Sequence, residues 1–313
     1  MNRRDTCLAA LVVTIWGFNF VVIGWGMEGV PPLLFAAVRF TVVLLPAVFL
    51  VPRPDAPWRT ILGVGTFMSL GQFGFLYTSM HAGMPPGIAA LVLQAQVLLT
   101  VLIAAGVLRE RPSRSQVSGV ALGSLGLLAV ALGRGGRITL WALTLCLFAG
   151  LCWAIGNVIS RASGIRSGLS LTVWSALVVP VPLLVLSLLL DGPSAVASAL
   201  TEPTWKSIVS TLYTACLASL FGYGVFNGLL SRYPSSAVVP WALWGPVVAM
   251  LAAWLLLDQR PNTAELLGGV LLISGALVAL RPQRQGARSA SWASRISGVW
   301  PWINRNTASR ASR

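Results

Sequence analysis

Ten mostly apolar runs of about twenty residues follow one another almost from the first residue to Arg281, and they leave the chain few ways to fold. They cover about 6–26, 32–52, 60–80, 86–108, 116–133, 139–160, 170–190, 205–229, 236–257 and 265–281. Each is long enough to cross a hydrocarbon layer about 30 Å thick as a helix. In lipid only helices and closed barrels satisfy every backbone group. These runs are continuous rather than alternating, so the expected fold is an all-α polytopic membrane protein with ten transmembrane helices. Charged residues make up only 10% of the chain and mean hydropathy is +0.79, whereas a soluble domain carries about 25% charged residues. Arg3 and Arg4 precede the first run. That run is too long for a secretory leader, carries Trp16 and Asn19, and has no convincing small-residue cleavage site, so it reads as an uncleaved first helix.

The net charge of +14 raises the question of nucleic acid, but its placement points to membrane topology. Seven of the 22 basic residues follow Leu280, and most of the rest sit in short connections. Short connections make sequential helices antiparallel. With the N-terminus inside, the inner connections hold Arg3, Arg4, Arg53, Arg59, Arg109, Arg111, Arg114, Arg161, Arg166 and Arg232. The outer ones hold only Arg134, Arg137, Lys206 and Arg260. The positive-inside rule then places both termini in the cytoplasm, with Arg134 and Arg137 as the main dissent. The longest outer connection, Asp191 to Trp205, leans acidic, as an outer loop should. Residues 282–313 form a basic, Ser-rich tail with Trp292, Trp300 and Trp302 interleaved. Two readings stand for it: a disordered tail, or one resting on anionic membrane lipid.

The chain also repeats itself. Pro85 and Pro234 are 149 residues apart, and at that offset Arg111 meets Arg260, Pro112 meets Pro261, Gly119 meets Gly268 and Gly126 meets Gly275. These are helix entry, helix exit, turn and close-packing positions. Trp16-Gly-Phe-Asn19 and Trp153-Ala-Ile-Gly-Asn157 agree loosely at the head of each half. The expected organisation is therefore a five-helix repeat over 1–133, a second over 134–281, and the tail 282–313. Five is odd, so the repeats are inverted in the membrane, the plan of many secondary transporters with substrate near the midplane.

Five pieces carry a family resemblance: Trp16-Gly-Phe-Asn19, Arg39-Phe40, Arg109-Glu110-Arg111, Trp153 to Asn157, and Gly245-Pro246. On them the chain resembles the drug/metabolite transporter superfamily in its EamA-type branch. Within the branch it is most similar to bacterial O-acetylserine/cysteine exporters. The stretches that carry this are GMPPGIAALVLQAQ at 83–96, GQFGFLYTSM at 71–80, VWSALVVPVP at 173–182, GYGVFNGLLSRYP at 222–234 and LLLDQR at 255–260. The resemblance covers about 1–281 and implies a bacterial inner-membrane exporter of small amino-acid-like metabolites. Many relatives carry proline where this chain has Gln96. Pro246 is expected at the corresponding place in the ninth run, where it kinks the helix and frees a carbonyl.

Polar and aromatic groups inside the runs are the candidate pathway residues: Asn19, Arg39, Gln72, Tyr77, Gln94, Gln96, Asn157, Tyr223, Asn227, Trp241, Trp244 and Pro246. Gln94 and Gln96 are two apart and cannot share a helix face. For each amide, lining the pathway and bonding a neighbouring helix are both open. Arg39 is the only basic residue in a run away from its ends, about 10 Å past its start. It is read either as the counter-charge of a substrate carboxylate or as a structural arginine bonded to carbonyls or to Glu28. Trp241 and Trp244 offer a cavity wall or ordinary packing. The lone His81 and the four cysteines, Cys7, Cys146, Cys152 and Cys216, read as a solvated loop group and packing residues, so no metal is expected.

Neither His-Glu-x-x-His, Gly-x-Ser-x-Gly, a Walker sequence nor paired intramembrane carboxylates occur, so a transporter without cofactor is expected rather than an enzyme. Its partners are a small-molecule substrate and lipid, not nucleic acid, and nothing in the sequence specifies an oligomeric state. The competing functions are a transporter of the same fold for another cargo (aromatic amino acid, nucleobase or drug) and a membrane scaffold acting through its basic tail.

Overall fold

A computed structural model describes residues 1–107, 112–133, 138–163 and 168–280. Arg109, Arg111, Arg134, Arg137, Arg166 and the 282–313 tail, all used in the charge argument, lie outside the described residues. Every expected run is a helix: α1 (Arg3–Gly26), α2 (Pro32–Leu50), α3 (Trp58–His81), α4 (Pro86–Val107), α5 (Arg114–Gly133), α6 (Leu140–Ser163), α7 (Leu169–Leu190), α8 (Trp205–Arg232), α9 (Ala237–Leu257) and α10 (Thr263–Ala279). α10 has 17 residues, about 25 Å of helix, at the short limit for a crossing. No strand occurs among the described residues. The chain is a multi-pass membrane protein. The end of the bundle that carries the N-terminus is called the base below, and the end that carries the α1–α2 connection is called the top.

Local sequence explains where the helices start. Pro32 and Pro86 occupy first helical positions, where a missing N–H is harmless. Asn2 caps α1 by accepting from the Asp5 amide, and Asn262 with Glu265 forms a capping box at α10. The α7–α8 connection, expected as a loop, holds a short helix instead, Pro193–Thr201. Pro193 opens it, and Val196 anchors it by burial.

The packing has a two-fold logic in which helix n of the first half exchanges with helix n + 5. α1 packs on α9 and α8, and α6 packs on α4 and α3. α5 pairs with α10, α2 with α7, and α4 with α9. The repeat glycines lie at the α5–α10 crossing, Gly119 against Gly275 and Gly126 against Gly268, in the reciprocal order that antiparallel helices require. Two five-helix repeats therefore build the fold.

Backbone detail repeats at the same offset. Pro85 has φ −63 and ψ 138, and Pro234 has φ −61 and ψ 141. α4 breaks after Leu93, with Gln94 at φ −66, ψ −13. α9 breaks after Ala242, with Leu243 at φ −72, ψ −12. Gln94 and Leu243 are again 149 apart. α4 breaks without any proline, so Pro246 is not what creates the break in α9. At this offset Pro246 matches Val97, and Gln96 matches Gly245. The expected opposition of Gln96 and Pro246 is thus displaced by one residue. α3 and α8 each widen into a π-helix, over Gly65–Gly71 and Tyr213–Phe221. Neither was legible in the sequence, and such segments commonly accompany functional sites.

Candidate functional site

α2, α3 and α8 bring three polar side chains together, Arg39, Tyr77 and Ser219. The arginine is 3% exposed. Its Nη1 donates to the Tyr77 hydroxyl at 2.5 Å, and its Nη2 donates to Ser219 Oγ at 3.0 Å. Ser219 commits its own hydrogen to the Thr214 carbonyl at 2.8 Å, so it meets the guanidinium as an acceptor. That bond spans five residues of the π segment of α8. The widened turn is therefore what carries the Ser219 hydroxyl between a backbone carbonyl and Arg39. The guanidinium carbon lies 4.7 Å from the centre of the Phe73 ring and 5.4 Å from that of Phe40, and the two rings touch edge to face, so an aromatic pair packs against the cation.

No carboxylate pairs with Arg39 among the described residues. Glu28, one of its expected structural partners, binds Lys206 instead. Nε of Arg39 has no hydrogen-bond partner. A buried polar group left unpaired costs about 1–3 kcal/mol, and more when charged. The arrangement is a buried cation, oriented by two hydroxyls and two rings, with its Nε donor still to be used.

α1 closes the cluster from the side. Trp16 Nε1 donates to the carbonyl of Ala218, inside the π segment, at 2.8 Å. Gly222 leaves room for that indole, because a Cβ there would stand 2.5 Å from Trp16 Nε1. Tyr223 and Phe226 pack on the Trp16 ring at 5.3 and 5.0 Å between centroids.

The other candidate residues distribute differently. Asn19 and Gln72 are 7% and 1% exposed, and the Oδ1 of one and the Oε1 of the other lack partners. Gln96 accepts from Asn157 Nδ2 at 3.4 Å, a bond between α4 and α6. Gln94 is buried at the α4 break, and Pro246 is buried at the start of the second part of α9. Asn227 donates to the carbonyl of Tyr223 one turn earlier on its own helix, at 2.8 Å. Trp241 packs with Ala9, Leu229 and Val238, and Trp244 is 60% exposed. The structure thus gathers Arg39 with Tyr77, sets Tyr223 alongside, and holds Gln96 and Asn157 as a separate pair. Ser219 was missed, because a serine in an apolar run has no pattern of its own.

A cavity of about 200 Å³ opens at the top, lined in part by Leu34, Phe35, Val38, Thr211 and Leu212. None of the candidate residues lines it. The Phe35 ring forms part of its wall and also stacks on Tyr77, 5.8 Å between centroids. Phe35 therefore stands between this cavity and the Arg39 cluster, in which Arg39, Tyr77 and Ser219 are all buried.

The model of the EamA-like transporter family matches twice, at residues 5–132 and 140–281. A probable amino-acid metabolite efflux pump of Escherichia coli (strain K12) is 39% identical over 284 residues, covering 89% of this chain and 95% of that protein. The protein of the same description from Salmonella typhimurium is 41% identical over the same shares. A probable terminal-alkyne amino-acid exporter of Streptantibioticus cattleyicolor is 27% identical, covering 90% of this chain and 96% of that one. A solved crystal structure superposes with a TM-score of 0.61 at 19% identity, covering 89% of this chain and 97% of the other, a likeness of fold alone.

Proposed function

The chain belongs to the EamA-like transporter family, and on that premise we propose that it is a secondary-active exporter of small amino-acid-like metabolites in the bacterial inner membrane. The cargo class is that of O-acetylserine and cysteine. Relatives described as amino-acid metabolite efflux pumps support the class. The observation that carries the reading is Arg39, a buried cation with an unused donor and no carboxylate partner among the described residues. A substrate carboxylate supplies the missing acceptor, and a charge-assisted bond to a planar guanidinium gives it both affinity and orientation.

Transport proceeds by alternating access between the two inverted repeats, taken as 1–133 and 134–281, and draws on an existing ion gradient. Arg39, Tyr77 and Ser219 hold the cargo in a closed state, in which all three are buried. Release at the top requires Phe35 to leave Tyr77. Both termini are cytoplasmic, so export runs from base to top.

The test is efflux of labelled cysteine and O-acetylserine from cells overproducing the protein, compared with Arg39→Ala. Export by the parent that falls to background in the variant is expected. A correctly inserted parent that exports no amino-acid derivative would overturn the reading. Reporter fusions after Gly29 and Pro54 test the direction: the first is expected outside and the second inside.

A further inference from the structure

Four buried side-chain atoms among the described residues lack a hydrogen-bond partner: Asn19 Oδ1, Arg39 Nε, Thr60 Oγ1 and Gln72 Oε1. Thr60 lies in the first turns of α3, about three turns toward the base from Gln72. The other three are each more than nine-tenths buried, and helix geometry turns them toward the same part of the bundle.

Gly26 of α1 lies against the Phe35 ring, in space that a Cβ would fill. Asn19 is seven residues before Gly26, two turns down the same face of α1. Arg39 is four residues after Phe35, one turn down the antiparallel α2. Asn19 and Arg39 therefore both lie below the same ring, on the facing sides of two helices. On α3, Phe75 and Ser79 meet α6, through the Phe148 ring and the Ala142 carbonyl. Phe73 and Tyr77 meet α2, through the Phe40 ring and Arg39. Gly74 faces Leu183 of α7. At 100° per residue, Gln72 falls on the remaining arc, between the α6 and α2 faces, where α3 turns toward α1 and α4.

The three atoms are chemically unequal. Nε of Arg39 is a cationic donor, whereas the two amide oxygens are neutral acceptors. An inorganic anion or a plain carboxylate satisfies the first and leaves the oxygens empty. An amine without a carboxylate does the reverse. A zwitterion fits all three, with its carboxylate on the guanidinium and two of its three ammonium hydrogens on the amides.

We infer that Asn19 and Gln72 read the free α-ammonium group of the substrate while Arg39 holds its carboxylate, so that the protein selects zwitterionic α-amino acids over their N-acylated or deaminated analogues. This inference rests on the reading of the chain as an amino-acid exporter. It goes beyond that reading in requiring the amine, which a carboxylate-binding arginine alone does not. The two amides come from different helices of the first repeat, and the guanidinium is held by a serine of the second. The ligand therefore joins the halves that must move.

The test uses the full chain in liposomes and measures uptake of L-cysteine, N-acetylcysteine and 3-mercaptopropionate, which lacks the amine. The parent is expected to prefer cysteine over both by at least about tenfold, the discrimination of a site whose polar groups stay unpaired with the wrong ligand. Asn19→Leu and Gln72→Leu are expected to lower cysteine uptake and leave 3-mercaptopropionate uptake in place, so that the ratio falls toward one. Asn19→Asp and Gln72→Glu keep an acceptor oxygen and are expected to keep the preference. Leucine variants that insert normally and retain the full ratio overturn the proposal. So does a parent that carries all three compounds equally, a comparison that needs no variant to fold. In both cases the exporter reading survives, because a carboxylate cargo still moves. A parent that carries none of the three sinks the exporter reading and this inference together.

Discussion

Gly126 and Gly268 meet backbone to backbone where α5 crosses α10. A Cβ added to Gly126 would stand 2.5 Å from the Gly268 carbonyl oxygen, and one added to Gly268 would stand 2.6 Å from that of Gly126. The contact is reciprocal, as a two-fold between the repeats demands, and Gly119 with Gly275 repeats it two turns away. In lipid there is little hydrophobic drive between helices, so close backbone approach is what holds such a pair. Sites of this kind tolerate no side chain.

Gly126→Val and Gly268→Val are therefore expected to destabilise the protein by about 1–3 kcal/mol or more, the usual range for overpacking. Gly106 lies in α4 with nothing within 4 Å of its would-be Cβ. Gly106→Ala is expected to be neutral or mildly stabilising, by up to about 1 kcal/mol through helix propensity. Thermal unfolding of the purified variants in detergent makes the comparison. Equal losses at Gly106 and Gly126 would count against the crossing as described.

Around Arg39 the predictions concern transport. Tyr77→Phe and Ser219→Ala each remove one acceptor from the guanidinium. A hydrogen bond to a charged group contributes about 1.5–3 kcal/mol, so each variant is expected to lose roughly tenfold or more in transport efficiency. Arg39→Lys keeps the charge but loses the planar fork and its packing on the Phe73 and Phe40 rings, and is expected to fall further than either. Initial rates against substrate concentration measure these effects. A lysine variant with the parent's rate would remove the geometric argument and leave only charge.

The difference between what could be read early and what could not follows from the physics of lipid. The helices declare themselves because nothing else satisfies twenty consecutive peptide groups in hydrocarbon. The repeat was visible in Pro85 and Pro234 or Gly119 and Gly268 because glycine and proline act through the backbone, so their positions survive while apolar side chains interchange. The π segments of α3 and α8 left little such trace, since Gly65–Gly71 and Tyr213–Phe221 share only a Ser-Leu pair near their ends, Ser69-Leu70 and Ser219-Leu220. They show only as extra backbone width. Ser219 becomes prominent through that width alone. Glu28, one of the partners the sequence leaves open for Arg39, is not taken for a related reason. Glu28 is near in sequence, yet it faces Lys206 of α8 at the top, while Arg39 points into the bundle. Composition lists charged groups, and helix phase decides which of them meet.

At the two ends of the α1–α8 pair the same argument gives unequal weights. Asp5 at the base accepts from the Tyr233 hydroxyl at 2.8 Å and pairs with Arg232 at 3.4 Å, with its side chain only 4% exposed. Glu28 and Lys206 at the top also pair, but are 51% and 40% exposed. Solvent screens the exposed pair, and such pairs contribute about 0–1 kcal/mol. Asp5→Ala is expected to cost about 1.5–3 kcal/mol through the lost charged hydrogen bonds, and Lys206→Ala under about 1 kcal/mol. Unfolding of the two variants side by side decides it. A larger loss at Lys206 would reverse the assignment of weight.

The break in α9 offers a last test, because its twin in α4 has no proline. Gln94 and Leu243 adopt nearly the same dihedrals, and each follows a carbonyl accepted three residues on: Gln94 N–H to Leu91 and Leu243 N–H to Pro240. What the two sites share is position in the fold, where α4 and α9 pack on each other and on α6 and α1. Packing therefore makes the break, and Pro246 fits a turn already required, since the second helical position lacks an intrahelical acceptor for its N–H. Pro246→Ala is accordingly expected to keep the break and to change transport by no more than a few-fold. Pro240 sits inside the preceding helix and is the stricter control. Cysteine pairs placed across the break, read by spin-label distances in the parent and in Pro246→Ala, measure whether it persists. A straightened α9 in the alanine variant would return the kink to the proline.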